Sequence, residues 1–208
     1  MNPSAEALRR QFGSAIRRVT ESRGRTIVHV EAARNREILA WLHDDPEQAY
    51  DFLVDLTAVE YRDGDRPIEV VYELFSIPRK VALRVKVDLP KAQPLEVDSV
   101  VPVWAGANWM EREVYDMFGI TFRDHPDLRR ILMWETYAEG HPLRKDFPLR
   151  GRFSRSEQVR QALNANPEAH YSMEELGIAE AYQELPAEVR ERLARGERGR
   201  IPEPKEKP

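Results

Sequence analysis

The sequence predicts an α+β fold, in which a mostly antiparallel sheet carries helices packed on one face and is followed by an extended segment and a C-terminal arm. Three observations support this fold class. Residues 81–89 alternate between aliphatic and polar side chains, the period of a strand with one buried and one exposed face. Strand-like runs and short amphipathic helical patterns both occur before residue 89. After it, the chain is rich in Trp, Arg, His and Pro, and its regular elements are short.

The first 89 residues form the predicted α+β domain. Its opening helix is predicted from the apolar stripe of Leu8, Phe12, Ile16 and Val19. The later elements are a strand at 26–30, a helix from residue 35 or 36 to 43, and strands at 51–61, 68–77 and 81–89. The Asp-Gly pair in the turn at 62–65 favours a tight hairpin between two of these strands.

Residues 90–151 form a second predicted region, and residues 152–208 form a third. In the second, an apolar face at residues 110–118 predicts a helix that stops at Gly119. The third has helical patterns near residues 157–163 and 187–193 but few large aliphatic side chains. We therefore expect it to be a charged arm, because it has too little apolar surface to form a core of its own.

Composition and charge narrow the possible functions. The 208-residue chain has a formal net charge of −4 and a pI near 5.8, whereas nucleic-acid-binding domains normally present a basic face. It contains no cysteine, which excludes disulfides, thiolate zinc sites and iron–sulfur clusters held by cysteine alone. No apolar run approaches the ~18 residues of a transmembrane helix. We expect no nucleic acid among its partners, and contact with a membrane only through partners.

Few residues suggest chemistry. Glycine-rich phosphate loops, the nucleophile elbow of hydrolases and the HEXXH motif do not occur in the sequence. Of the five histidines, only His125 and His141 share a neighbourhood, and their spacing is not that of a usual metal site. Glu111 and Glu113 are two residues apart on the predicted helix and point to different sides, which argues against paired acid–base chemistry. We expect no catalytic residue, cofactor or metal in this chain.

The same region has the composition of a binding surface. Arg112 and Asp116 are four residues apart on the predicted helix, share a face and can pair. Four aromatic residues between 104 and 118 are interleaved with acidic and basic ones, and more basic residues follow at 129–130 and 144–145. Aromatic and arginine side chains are the usual anchors of buried interfaces, and the arginine fork tolerates burial well. We therefore predict that residues 90–151 are an interface segment.

Two long blocks stand out in the interface segment. Residues 109–133 read WMEREVYDMFGITFRDHPDLRRILM, and residues 140–151 read GHPLRKDFPLRG. Both blocks, in this order, resemble the 30-kDa subunit family of respiratory complex I, and two such blocks make a specific match. The resemblance is sharp over residues 104–151, and the elements before residue 89 are compatible with the family's N-terminal α+β domain. Many members have glycine before the first His-Pro, where this chain has Asp124.

The resemblance implies a cofactor-free structural subunit in the peripheral arm of a proton-translocating NADH:quinone oxidoreductase. Such a subunit docks on the 49-kDa-type subunit near the quinone site, beside iron–sulfur subunits, while FMN, the iron–sulfur clusters and quinone are bound by other subunits. The implied location is peripheral, on the cytoplasmic side of the bacterial inner membrane. The subunit-interface candidates are Trp109, Glu111, Arg112, Glu113, Asp116, His125, Arg129, Arg130, His141, Arg144, Lys145 and Asp146.

Three alternatives stand beside this hypothesis. Related membrane-bound hydrogenases and complexes fed by ferredoxin or reduced deazaflavin carry the same block type, and this one subunit does not separate them. An RNA-binding module would need aromatic residues on the sheet and a basic face, whereas the strand at 81–89 alternates aliphatic residues with mixed charges. A hydrolase built on Glu111 and Glu113 is disfavoured by the helical geometry.

Overall fold

The computed structural model describes residues 2–62, 66–91 and 94–165, together with residues 187 and 190–191. The helices and strands are α1 (Pro3–Phe12), β1 (Ile16–Ser22), β2 (Arg25–Val30), α2 (Asn35–Asp44), β3 (Phe52–Val59), β4 (Ile68–Ser76), β5 (Val81–Leu89), β6 (Glu96–Asp98), α3 (Ala107–Phe118), β7 (Thr121–Arg123) and α4 (Arg155–Ala165). The chain divides into one compact unit up to Ser154 and a second from Arg155 onward. The second unit contains α4, which matches the helical pattern at 157–163. Of the pattern at 187–193, only residues 187 and 190–191 are described, as helical.

Five strands form the main sheet, in the order β1-β2-β5-β4-β3. Neighbouring strands are antiparallel except for β2 and β5, which run parallel at the centre of the sheet. The prediction of a mostly antiparallel sheet is therefore confirmed. A second sheet, formed by the parallel pair β6 and β7, was not predicted, because three-residue strands leave no readable periodicity.

The alternation of β5 decides which face of the sheet is covered. Leu83, Val85 and Val87 are buried, and Val85 lies opposite Val28 of β2 and Tyr72 of β4. These residues share one core cluster with apolar side chains of α1, α2 and α3. Burial of each such side chain contributes roughly 1.5–3 kcal/mol. The core continues past residue 90 into α3, so the sheet and the interface segment share it.

The opposite face carries charged residues that are paired across strands. Lys86 Nζ lies 2.6 Å from Glu69 Oε2, and His29 Nδ1 lies 3.1 Å from Asp88 Oδ1. Both pairs join the β5 residue to the strand beside it. This is the polar face predicted for the strand at 81–89, and its charges are largely shielded by one another.

The prediction of the opening helix is wrong beyond Phe12. The helix ends at Gly13, which has a φ of 52°, and Ile16 and Val19 belong to β1. A β-bulge between Ile16 and Arg18 lets both apolar residues face the sheet core, although they are three positions apart. Because the bulge breaks strict alternation, their spacing imitates the period of a helix.

The remaining elements of the N-terminal region match their predictions within one or two residues. The strands at 26–30, 51–61, 68–77 and 81–89 correspond to β2, β3, β4 and β5, and the predicted short helix is α2. Most of the predicted Asp-Gly turn, residues 63–65, lies outside the described residues. Within the described part of the chain, none of the helices has the length and apolar character needed to cross a membrane.

Candidate functional site

Helix α3 is the base of the candidate site. It buries Val114, Met117 and Phe118 in the core and stops at Gly119, whose φ is 74° and whose N–H donates to the Tyr115 carbonyl at 2.9 Å. The predicted helix stop is therefore confirmed. After β7, the residues from 124 to 154 are all described and include no helix or strand. We call residues 128–152 the strap.

The carboxylate of Asp116 holds the beginning of the strap. It is fully buried; one oxygen accepts from the Arg130 guanidinium at 2.6 Å. The other oxygen accepts from the backbone N–H groups of Ile131, Leu132 and Met133 at 3.1, 2.8 and 2.8 Å. Burial acts to raise the pKa of Asp116, but the hydrogen bonds, led by that from Met133, outweigh it and lower the pKa. An ionised aspartate is thus the acceptor around which the strap begins.

Arg112 makes a second contact between α3 and the strap. Its Nε and Nη2 donate to the carbonyl oxygens of Arg129 and Arg130, each at 3.1 Å. The predicted pair of Arg112 and Asp116 is therefore wrong, because Asp116 pairs with Arg130 instead. The Trp109 ring lies 5.3 Å from the Arg112 guanidinium and is 62% exposed. An exposed aromatic side chain is thus in contact with a buried arginine.

The middle of the strap is fixed to the C-terminal end of α3. His141 Nδ1 lies 2.9 Å from the Asp116 carbonyl oxygen, so this nitrogen carries the proton and donates. The Leu143 N–H donates to the Met117 carbonyl at 3.0 Å. A Cβ at position 119 would lie 2.6 Å from His141 Cδ2 and Nε2. Gly119 is therefore required both for its left-handed φ and for the close approach of the His141 ring.

Glu60, just after β3, contacts the middle of the second sequence block. Its buried carboxylate accepts from the Lys145 backbone N–H at 2.8 Å and lies 3.5 Å from Arg144 Nε and 3.2 Å from Lys91 Nζ. Sequence reasoning missed Glu60. It is separated from Lys145 by 85 positions, and no local pattern connects two residues that far apart.

Glu111 is fully buried between α3 and the short strands. One carboxylate oxygen accepts from the Val100 N–H at 2.7 Å, and the other lies 3.9 Å from His125 Nε2. Burial raises the pKa of Glu111 to about 7. His125 Nδ1 accepts from the Asp127 N–H at 3.0 Å, so Nε2 carries the proton and donates to the Asn108 carbonyl at 3.2 Å. Like His141, His125 forms hydrogen bonds with backbone groups.

The structure separates the predicted interface residues into two sets. The side chains that make contacts inside the unit are Glu111, Arg112, Asp116, His125, Arg130 and His141. Those that are exposed are Trp109, Glu113, Arg129, Lys145 and Asp146. Arg144 lies between the two sets, because it is partly exposed and contacts Glu60. Glu111 and Glu113 do not form a working pair, since one is buried and the other faces solvent.

One group of side chains has the geometry of a metal site. The candidate ligand atoms of His29, Glu69 and Asp88 all lie within 4.8 Å of one another. However, the ammonium group of Lys86 contacts Glu69, and the guanidinium of Arg18 lies 3.0 Å from His29 Nε2. Two cationic side chains already neutralise this cluster, so the arrangement fits a row of charge pairs better than it fits a metal site.

Apolar side chains are exposed on the strap and on α3. Besides Trp109, the residues Leu132, Leu143 and Leu149 are exposed at about half of their surface or more. The backbone N–H of Leu132 donates to Asp116, and that of Leu143 donates to the Met117 carbonyl. Exposed large apolar side chains that lie close together are typical of a surface that binds another protein.

Comparison with known proteins places this arrangement in a family. The model of the family described as "Respiratory-chain NADH dehydrogenase, 30 Kd subunit" matches residues 28–153. The chain belongs to this family. A relative from Citrifermentans bemidjiense, named as an NADH-quinone oxidoreductase subunit, is 46% identical over 150 residues, which are 72% of this chain and 91% of the relative. The relative of the same name from Geobacter metallireducens is 46% identical over 151 residues, with the same coverage.

Solved structures share the fold of this family member. A trypsin-resistant fragment of Nqo5 is 30% identical, with a TM-score of 0.50, over 59% of this chain and 97% of the fragment. A chain of the membrane-bound sulfane sulfur reductase, an archaeal respiratory membrane complex, has a TM-score of 0.58 over 70% of this chain and 84% of its own length. At 22% identity, this second likeness shows a shared fold alone.

Proposed function

We propose that this chain is a non-catalytic structural subunit of a proton-translocating NADH:quinone oxidoreductase. Family membership and relatives named as NADH-quinone oxidoreductase subunits support the proposal. The protein docks on the 49-kDa-type subunit near the quinone site and lies beside iron–sulfur subunits. It binds no cofactor, and FMN, the iron–sulfur clusters and quinone belong to other subunits. Electron transport and proton translocation are activities of the whole complex.

The structural role is supported by a difference between the buried and the exposed residues of α3. The buried side chains of Asp116 and Arg112 form hydrogen bonds to the strap. Trp109 lies at the surface, in contact with Arg112. Side chains whose polar atoms are already satisfied inside the unit are suited to holding a shape. The exposed aromatic and apolar residues that they position are suited to binding a partner.

We propose that the protein is held peripherally at the cytoplasmic side of the bacterial inner membrane by its partner subunits. The absence of a membrane-spanning helix among the described residues agrees with contact through partners. The exposed apolar residues of the strap and α3 supply a surface of the kind that such an attachment requires.

The test is to recover the tagged full-length chain from detergent-solubilised native membranes. We expect a multi-subunit eluate that contains flavin and iron–sulfur absorbance and reduces quinone with NADH. An eluate that oxidises hydrogen or reduced ferredoxin but not NADH would assign the chain to one of the related complexes. Recovery of the chain alone would contradict the proposed role.

Substitution of Trp109 by alanine tests where the interface lies. We expect Trp109→Ala to reduce the co-purified partner subunits by about tenfold or more, because buried aromatic anchors contribute about 2 kcal/mol or more to binding. The matched control is Ile77→Ala, since Ile77 is also largely exposed but lies in the turn after β4. If the two variants recover the same amount of partner, Trp109 is not part of the interface.

A further inference from the structure

The strap presents a bare leucine at the corner of a tight turn. The N–H of Gly151 donates to the Pro148 carbonyl at 2.9 Å, which closes a turn with Leu149 and Arg150 at its two corners. We call residues 148–151 the tip turn. Leu149 is 103% exposed, so no described part of the chain packs against it. A leucine left fully in water contributes nothing to folding, and its side chain is available for contact with another molecule.

The backbone on both sides of the tip turn is held by buried carboxylates. Before the turn, the Lys145 N–H donates to the Glu60 carboxylate at 2.8 Å. After it, the Arg152 N–H donates to the Glu139 carboxylate at 3.1 Å. The proline that begins the turn also restricts its backbone. A segment whose backbone is already ordered loses little conformational entropy on binding, so a contact made by Leu149 is retained largely as affinity.

Cations without ion pairs surround the tip turn. Lys145, Arg150 and Arg152 are exposed, and none of the three pairs with a carboxylate in the part of the chain that the structure describes. The only acidic residue of the second sequence block, Asp146, lies 3.7 Å from Arg144 instead. The whole chain has a net charge of −4, so this is a cationic area on an acidic protein. Its electrostatic complement is a surface that carries carboxylates.

We propose that the tip turn inserts Leu149 into an apolar pocket of the neighbouring subunit, and that carboxylates at the rim of the pocket pair with Arg150 and Arg152. An apolar centre inside a charged rim is the usual anatomy of a protein interface. This inference rests on the proposed function, because it names the chemistry of the partner surface that receives the strap.

A protein pocket fits the tip turn better than an anionic lipid surface does. A single leucine side chain buries too few methylene groups to hold a protein at a bilayer. The net charge of −4 also opposes the approach of the whole chain to an anionic membrane. Ion pairs with a partner protein act over a few ångströms, so the cations next to Leu149 decide that contact.

The deciding variants are Leu149→Ala and Arg150→Glu, each made in the full-length chain and co-produced with a differently tagged wild-type chain. We expect Leu149→Ala to be about tenfold under-represented in the complex recovered from native membranes, because most of the buried side chain is lost. Arg150→Glu should lose more than tenfold, since it places a carboxylate against carboxylates. Arg150→Lys keeps the charge and should lose about threefold or less.

The matched controls remove the same kinds of group from exposed positions outside the strap. Ile77→Ala and Arg10→Glu should both assemble like the wild-type chain. The proposal is overturned if Leu149→Ala assembles like Ile77→Ala, or if Arg150→Glu assembles like Arg10→Glu. A lower melting temperature of the isolated Leu149→Ala chain would also overturn it, because that result would give this leucine a role in the fold.

Two further measurements separate the possible failures. The isolated wild-type chain should not bind vesicles of phosphatidylglycerol, and binding that is lost in Leu149→Ala would replace the protein pocket by a lipid surface. A wild-type chain that recovers no partner subunits would contradict the proposed function itself. Recovery of partners by the wild-type chain and by Leu149→Ala alike would contradict only the role of the tip turn.

Discussion

The two buried carboxylates of α3 lie five residues apart and differ in the donors that surround them. Asp116 accepts from Arg130 and from three backbone N–H groups. The ionised form of Glu111 is stabilised by the Val100 N–H, the Ser99 hydroxyl and the charge of Arg36. Burial acts to raise both pKa values, yet the pKa of Asp116 is lowered while that of Glu111 reaches about 7. Burial opposes ionisation of both carboxylates, and only at Asp116 do the surrounding donors outweigh it.

This difference corresponds to two mechanical roles. Asp116 joins α3 to the strap and needs its charge, because the Arg130 guanidinium and the backbone of residues 131–133 are organised around it. Glu111 lies where α3 meets the short strands and has an oxygen without a hydrogen-bond partner among the described residues. The negative charge of Glu111 therefore lowers the stability of the folded state. Substitutions of Asp116 and of Glu111 should therefore change the stability in opposite directions.

The largest effect is expected for Asp116→Ala. Removal of this acceptor leaves Arg130 and three backbone N–H groups without their partner, so we expect the free energy of unfolding to fall by roughly 3–5 kcal/mol. Urea unfolding measures this loss, and hydrogen exchange at residues 131–133 shows whether the strap is released first. The control is Asp127→Ala, because Asp127 is an exposed carboxylate that pairs with the nearby exposed Arg129. Similar losses in the two variants would show that Asp116 is not the anchor of the strap.

An intermediate effect is expected for Gly119→Ala. The new Cβ would meet the His141 ring at 2.6 Å and would also require a left-handed φ of 74°. Gly24→Ala is the matched control, because Gly24 has the same φ and no atom within 4 Å of the added Cβ. We expect the control to lose about 1 kcal/mol and Gly119→Ala to lose roughly 3 kcal/mol, as measured by thermal or urea unfolding. Equal losses would mean that the backbone conformation alone, without the contact to His141, requires glycine.

A gain that depends on pH is expected for Glu111→Gln. Between pH 4.5 and pH 7 the folded chain holds the proton of Glu111 more tightly than the unfolded chain does. The stability contributed by this group is therefore complete at the low end of this window and is lost as pH rises through it. Glutamine resembles the protonated acid, so the variant does not lose this stability as the pH rises.

We expect Glu111→Gln to match the wild-type chain at pH 4.5 and to exceed its free energy of unfolding by roughly 3 kcal/mol at pH 8. Urea titrations of both chains at these two pH values give the difference directly, since the other titrating groups cancel. A constant difference across this range would show that the proton on Glu111 is held no more tightly in the folded state than in the unfolded state.

Local periodicity made the sheet predictable where strands are regular. The alternation of β5 indicates its buried face correctly, and the apolar face that ends at Gly119 predicts α3. Prediction failed at β1, because a bulge places Ile16 and Val19 on one face at a helical spacing. It also failed for β6 and β7, which are too short to show a period.

The sequence predicted where the candidate site lies, but it did not predict which contacts each of its residues makes. Its aromatic and charged residues were recognisable from composition and from the two blocks, whereas the partners of those residues were not. Arg112 and Asp116 have the right spacing to pair on a helix, yet each binds the strap instead. Spacing on one helix describes which side chains are near one another, and it contains no information about a competing partner from elsewhere in the chain.

The sequence by itself determined the family through two long blocks, most of the sheet through its periodicity, and the absence of thiolate chemistry through its lack of cysteine. Only the tertiary structure decided that Asp116 binds the strap as an ionised carboxylate and that the pKa of Glu111 is raised. The physical reason is the range of the interactions. Strand and helix periods arise from neighbouring residues, whereas the pKa and hydrogen bonding of a buried carboxylate depend on donors that only the folded chain brings together.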